Sequence, residues 1–561
     1  MKKLLIAFCA VTILLSPVPC GYAQAPPDLV LVNGAIYTVN ENKPTAKALA
    51  ISNGKITAIG RTDKILAGAG AGTRVVDLQG KTVFPGFIDA HGHLMGLGFS
   101  LQRLNFSGAK NYRELIDAVA AKAGSVPKGD WILGRGWDQN EWPSRSLPMH
   151  APLSRSSPDH PVALTRIDGH ALLVNRKAME IAGIDRDSAD PPGGRILHDD
   201  QGEPTGVLLD RARGLVSRHI PPESVQARRE AVSLAIRECL KYGLTSVHDA
   251  GVSGADIDLY KAMIDENAFD LHVYAMIRAT NASTINRYFR SGPLIDYGGK
   301  LTVRSVKAMM DGALGSRGAA LFEPYSDDPG NSGLLIMKME ELRDLTLRAL
   351  ATGFQVSTHA IGDKANHEAL DAYQAALRTP YLKKKARDAR LRIEHAQVVA
   401  LKDIPRFADL GIIPSMQATH ATSDMGWVRD RIGRDRVAGS YAWRRFLNQG
   451  SRIANGSDFP VESPNPLWGF YASITRQNHS GKPNGGWRPG QLMTRIEALK
   501  SFTLDAAYAA FEEEEKGSIE IGKVANIVVL SADIMQIEPR EILGTYVTMT
   551  ILAGKVVYEH P

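Results

Sequence analysis

The chain has 561 residues, of which 44% are hydrophobic and 22% charged, and its net charge is +6. It is too long for one hydrophobic core, which stops growing near about 250–300 residues, so two domains are expected. The charge is small for this size and no basic stripe interleaved with aromatics occurs, which excludes a nucleic-acid partner. Lys383-Lys384-Lys385, the densest basic cluster, reads as a solvated loop.

Lys2 and Lys3 precede an apolar run, Leu4 to Leu15, followed by Ser16-Pro17 and small residues ending at Ala23. This is the order of a secretory signal peptide over residues 1–23, so a periplasmic or secreted location is expected. The run is too short to stay as a membrane span and no later segment reaches that length. Cys20 raises a lipoprotein anchor, but Pro17, Val18 and Pro19 suit such a site poorly. Cys9 and Cys20 leave with the leader. Cys239 then stands alone, forms no internal disulfide and reads as a small buried hydrophobe.

Residues 24–83 read as short strands rich in Val, Ile and Leu (Asp28 to Val39, Lys47 to Ile59, Arg74 to Val83), with turns at Asn33-Gly34 and Asn53-Gly54. The same texture returns over 511–561, at Ala525 to Leu530, Thr545 to Leu552 and Val556 to Glu559. Neither piece is long enough alone, and pairing them gives one small discontinuous β-sandwich built from both chain ends. The glycine-rich run at 68–72 lacks the strand, spacing and helix of a phosphate loop and reads as a flexible connection.

Between these pieces, over 84–510, strands and helices alternate, which predicts a parallel sheet closed by helices. The apolar run Val83 to Ile88 opens it. A long lid-like insert follows, at about 100–240, with Trp131 to Trp142, Pro161 to Asn175 and a helix from Glu223 to Tyr242. Seven further strands are expected: Gly243 to Asp249, Leu271 to Ile277, Leu301 to Met310, Phe354 to His359, Leu391 to His395, Gly411 to Gln417 and Arg452 to Asp458. Eight strands with intervening helices make a TIM (β/α)8 barrel.

The chemistry-bearing residues fall at the ends of those strands. His91 and His93, one residue apart in an extended segment, point the same way and can reach one metal ion. Lys307 lies on the fourth strand, His359 ends the fifth, His395 ends the sixth and Asp458 ends the eighth. Barrel strands converge their C-terminal ends on one bowl, and four histidines with an aspartate suit zinc or a similar divalent metal.

HGH at 91–93, KAMMDGALGSRGA at 307–319, STHAIGD at 357–363, IEHAQ at 393–397 and NGSDFPVE at 455–462 resemble the amidohydrolase superfamily. With GWDQNEWP at 136–143 and RIDGHALLVN at 166–175, they are similar to its YtcJ, or N-substituted formamide deformylase-like, branch (amidohydrolase family 3). The resemblance runs from about residue 28 to the C-terminus. It implies that His91, His93 and Asp458 hold a more buried metal, His359 and His395 a second, and that Lys307 is an N6-carboxylysine bridging them; an unmodified lysine or a single ion is the alternative. It further implies a metal-activated hydroxide attacking a polarised carbonyl, with Asp458 as proton shuttle to the leaving nitrogen of a non-peptide C–N bond.

His170 in the insert is expected either to reach over the barrel mouth to substrate or oxyanion, or to pack within the insert. Trp137 and Trp142 line a lid pocket or form a core. Asp311 and Arg317 line the pocket or make a loop ion pair, His248 and Asp249 support from behind, and His420 is left without a role. The partner is a small-molecule substrate, and homo-oligomer formation is open. The same centre could act instead on a cyclic amide, lactone or phosphoester, or belong to an idle binding or regulatory protein.

Overall fold

A computed structural model describes residues 25–139, 142–166, 171–191, 194–380 and 388–561. The leader-like stretch 1–23, His170 and the cluster Lys383 to Lys385 lie outside the described residues.

The barrel strands are β1 (Phe87–Gly92), β2 (Leu244–Val252), β3 (His272–Arg278), β4 (Leu301–Met309), β5 (Gln355–Ala360), β6 (Arg392–His395), β7 (Ile413–Gln417) and β8 (Ala454–Gly456). They pair in parallel from β1 round to β8. The ring is joined between its ends just past the strands, where Asp458 N–H donates to the His91 carbonyl at 2.7 Å and His93 N–H to the Phe459 carbonyl at 2.8 Å. These strands are buried on both faces over nearly their whole length, polar residues included, as a parallel sheet covered by helices requires. Gly456 is required here: a Cβ on it would sit 2.5 Å from the His91 backbone nitrogen, so only glycine lets β8 approach β1 this closely.

The helix Leu94–Gln102 begins directly after His93 and packs on the helix Val225–Lys241, whose N-terminus is capped by Ser224 accepting from Ala227 N–H at 3.1 Å. Val232, Ile236, Cys239 and Leu240 of the second helix join Leu94, Leu97 and the barrel residues in one core. The helix that sequence spacing places at the end of the insert therefore packs as a helix of the barrel. Cys239 is fully buried, as a small hydrophobe should be.

At the chain ends, Thr82–Pro85 pairs antiparallel with Ile527–Leu530, more than four hundred residues away, in a six-stranded sheet. A four-stranded sheet, ordered Lys55–Gly60, Ala48–Ser52, Leu29–Val32 and Arg74–Asp77, faces it. Leu29, Leu49 and Ile51 from one sheet meet Val83, Ile527 and Ile551 from the other in a shared core. The expected fold class is the observed one: a (β/α)8 barrel with a discontinuous β-sandwich from both termini.

The insert forms its own mixed sheet: Leu104–Asn105, Ile132–Trp137, Val162–Arg166, Ala171–Val174, Pro204–Asp210 and Gly194–His198. Trp137 and Trp142 belong to its interior rather than to a lid pocket. Their indole N–H groups donate to the Leu164 and Ala109 carbonyls at 2.8 and 3.2 Å, which satisfies the polar edge that burial would otherwise leave open. Among the described residues, no helix is long and apolar enough to cross a membrane.

Candidate metal centre

The C-terminal ends of the strands surround a cavity of about 860 Å³, within the range of small-molecule sites. His91, His93, Lys307, His359, His395 and Asp458 all line it. Its floor is built by β1, β6 and β8. His91, His395 and Asp458 each offer one ligand atom, all within 4.8 Å of one another. This triad cuts across the two ligand groups that the resemblance implies. His93 Nε2 lies 3.0 Å from Asp458 Oδ1, and Lys307 Nζ is 3.3 Å from His91 Nε2. The His359 ring stands 4.6 Å from that of His395, centroid to centroid.

The histidines are aimed by their far nitrogens. His91 Nδ1 meets the Glu394 carboxylate, which must accept, so Nδ1 carries the proton and the Nε2 lone pair faces the cavity. His395 Nδ1 donates to Gln417 Oε1 at 2.7 Å with the same result. Burial pulls His91 down to about 4, with Lys307 adding to the effect, and His359 down to about 3. Burial also works to raise Asp458, but the hydrogen bond from His93 leads the effects that oppose it, and the carboxylate is held well below the usual carboxylate range. Neutral imidazoles with free lone pairs beside an ionised carboxylate are the donor set a divalent cation requires. The residues present fit a metal.

Glu394 escapes a simple reading of strand alternation. Consecutive strand residues point to opposite faces, yet Glu394 and His395 both reach His91. His395 has φ +72°, and this left-handed residue breaks the alternation at the end of β6. Asp458 has φ +60°. Such conformations cost about 1–3 kcal/mol each and persist where the surroundings fix them. The only advance signal was the acidic residue next to His395 in the IEHAQ motif.

Behind Glu394 stands Arg392, fully buried, with Nε 2.8 Å from Glu394 Oε1 and Nη1 2.9 Å from His248 Nδ1. Burial raises Glu394 but Arg392 outweighs it and keeps the carboxylate ionised. His248, made neutral by burial, therefore supports the network from behind. Asp249 accepts from Leu94 N–H at 3.1 Å and Tyr260 O–H at 2.8 Å, fixing the helix after His93. Asp311 accepts from the backbone N–H groups of Ala320, Ile361 and Gly362, and Arg317 pairs with Asp327 at 3.0 Å, so both hold loops. His420 does reach the site: its Nε2 is buried without a hydrogen-bond partner among the described residues, 3.8 Å from Asp458 Oδ2.

Residues 74–558 match the amidohydrolase family. YtcJ of Bacillus subtilis is 33% identical over 533 residues, covering 94% of this chain and 98% of its own. The N-substituted formamide deformylase of Arthrobacter pascens is 28% identical over 553 residues, covering 95% of this chain and 98% of its own. Among solved structures, an uncharacterized metal-dependent hydrolase from Pyrococcus furiosus is similar with a TM-score of 0.75 at 28% identity, covering 91% of this chain and 100% of its own. The chain belongs to the amidohydrolase family.

Proposed function

We propose that this chain is an exported hydrolase that cleaves a non-peptide C–N bond of the amide, N-acyl or formamide kind in a small molecule. The observation that carries the reading is the convergence of His91, His395 and Asp458, whose ligand atoms lie within 4.8 Å of one another at the floor of the bowl. The likeness to a formamide deformylase over nearly the whole chain supports the choice of a C–N bond.

His91, His93 and Asp458 would hold one ion and His359 with His395 a second, with Lys307 between them. When bound, a divalent ion such as zinc supplies Lewis acidity and brings the pKa of water toward ~7. Asp458, kept ionised beside His93 and facing His420, accepts a proton from the attacking water and returns it to the leaving nitrogen. Burial lowers Lys307 to about 8, so a fraction of its amine is neutral near neutral pH. That lone pair can attack carbon dioxide, form the Nζ–C bond and release a proton, giving a carbamate donor. The residue order of 1–23 supports export, which N-terminal sequencing of the mature protein tests.

The test is a panel of N-formyl, N-acyl, cyclic amide, lactone and phosphoester compounds offered to the metal-loaded and chelated protein. Release of amine that stops on chelation and returns with zinc is the expected result. Exclusive turnover of lactones or phosphoesters would overturn the assignment. Asp458→Asn should lower kcat by about 10²–10⁴-fold; near-normal turnover at full metal content would remove the shuttle. Labelled bicarbonate should give a carbamate resonance that Lys307→Arg abolishes.

A further inference from the structure

The carboxylates around the upper cavity are each engaged by a neighbour. Asp424 accepts from Tyr441 O–H and, at 3.1 Å, from Gln397 Nε2. Glu462 accepts from Ser423 Oγ at 2.5 Å, and Glu341 from the Lys338 backbone N–H at 3.3 Å. Arg278 differs. It is the last residue of β3, in register with Lys307 on β4, and lines the same cavity. Its Nε donates to the Gly251 carbonyl at 3.1 Å, which fixes the plane of the guanidinium. Gly251 has φ +94°, a conformation that other residues rarely adopt. A Cβ placed there would lie 3.8 Å from Lys307 Cγ and 3.9 Å from Arg278 Nε, so the Lys307 and Arg278 side chains flank one point beside the metal ligands.

The two terminal nitrogens of Arg278 have no acceptor among the described residues. Arg317 and Arg431, also near the mouth, share Asp327. An oriented guanidinium with two free N–H edges is a fork for a planar oxyanion. The guanidinium is solvent-exposed in the open cavity, and Met309, Leu314 and Ile336 supply apolar surface to the same cavity for the rest of a ligand. One guanidinium facing carboxylates across the bowl suits a monoanion better than a phosphate dianion.

We propose that the substrate is an amide bearing a carboxylate, and that Arg278 binds this carboxylate while the scissile bond lies over His91, His395 and Asp458. This rests on the amide-hydrolase reading above. Arg278 then determines specificity, and the distance between carboxylate and amide sets the preferred chain length.

The experiment compares, on the metal-loaded full chain, N-formyl ω-amino acids of increasing length with N-formyl alkylamines of matched length and with the corresponding phosphonates. One length in the acid series should exceed its neutral partner in kcat/KM by about tenfold or more, chiefly through KM. Arg278→Met should lower that acid-to-neutral ratio by about tenfold, Arg278→Lys should restore part of it, and Arg278→Glu should turn preference toward N-formyl diamines. A purely structural role would depress both series alike and leave the ratio fixed. An unchanged ratio, a neutral preference or a phosphonate preference overturns the proposal. If neither series is cleaved, the amide reading fails, and calorimetry then decides the anchor: 3-phenylpropionate should bind more tightly than 3-phenylpropanamide in the wild type, and Arg278→Met should abolish the difference. Equal loss or no loss of binding for both compounds sinks it.

Discussion

The floor of the cavity and its rim follow opposite rules. On the floor each group is buried and orients the next: Arg392 holds Glu394, Glu394 fixes the His91 tautomer, and Gln417 fixes that of His395. At the rim, Met309 and Ile336 are 45% and 60% exposed, and the two terminal nitrogens of Arg278 have no acceptor among the described residues. A preorganised floor keeps ligand atoms in place without a reorganisation cost on binding. A loosely engaged rim can be changed without disturbing that chemistry. Stability and metal affinity should therefore be sensitive at the floor, and substrate preference at the rim.

The largest effect should come from replacing His91 and His93 together by asparagine. The deeper ion and all measurable turnover should be lost, while the circular dichroism spectrum stays that of a folded barrel. Elemental analysis showing retained metal in an active double variant would break the distinction between floor and rim.

Arg392→Met should follow. It leaves the Glu394 carboxylate buried and unpaired, a change that costs about 3–5 kcal/mol, readable as a lowered denaturation midpoint. Glu394→Gln, which keeps the shape but weakens the hold on His91 Nδ1, should lower metal affinity by about 10–100-fold. If both variants matched the wild type in midpoint and affinity, the network would be packing alone.

How much of this was legible in the sequence depends on distance along the chain. His-x-His after an apolar run and a His or Asp at later strand ends are local signals, and eight strands could be counted because short strand-like segments alternate regularly with helical ones. The sandwich was legible because two strand-rich ends shared a texture. The tautomer network was not. Glu394 and His395 both reach His91 because His395 takes a positive φ, and Arg392 reaches Ser415 on the neighbouring β7 and Ala90 on the non-adjacent β1. Arg278 carried no motif; its significance lies in partners it lacks, which only the packed structure displays.

The pH dependence of the metal-free protein separates the two regions further. Five buried histidines, His91, His248, His272, His359 and His395, are held below their ordinary value near 6.5 by burial. The unfolded chain therefore takes up protons first as pH falls, and their stabilising contribution, complete above about 6.5, is lost progressively toward 4, by about 1.4 kcal/mol per unit for each histidine. Burial raises Asp89 and Asp311 to about 7 and Asp249 to about 6, which acts in the opposite sense over the same window. Asp363, Asp424, Asp505 and Glu512 are raised by burial to a smaller extent, as His150 and His479 are lowered to a smaller extent. The five strongly displaced histidines span the whole window and outweigh the three strongly displaced carboxylates, so denaturation midpoints should fall between pH 6.5 and 4.5. A midpoint that rises on acidification would show that the buried carboxylates dominate.

The smallest effect on stability should be at Ile336. Its side chain is exposed in the cavity wall, whereas its segment is pinned by the backbone, Ile336 N–H donating to the Met310 carbonyl at 2.7 Å. Ile336→Ser keeps that hydrogen bond and removes only surface that is already largely hydrated, so stability should change by no more than about 0.5 kcal/mol. Metal content should stay at the wild-type level, because no floor residue leans on this side chain. The apolar part of a bound substrate would lose a contact, so KM should rise by a few-fold, about what one or two buried methylenes contribute, with kcat held. A fall in kcat or in metal content larger than the change in KM would mean that rim and floor are mechanically coupled, and that the preorganisation of His91 extends up the wall.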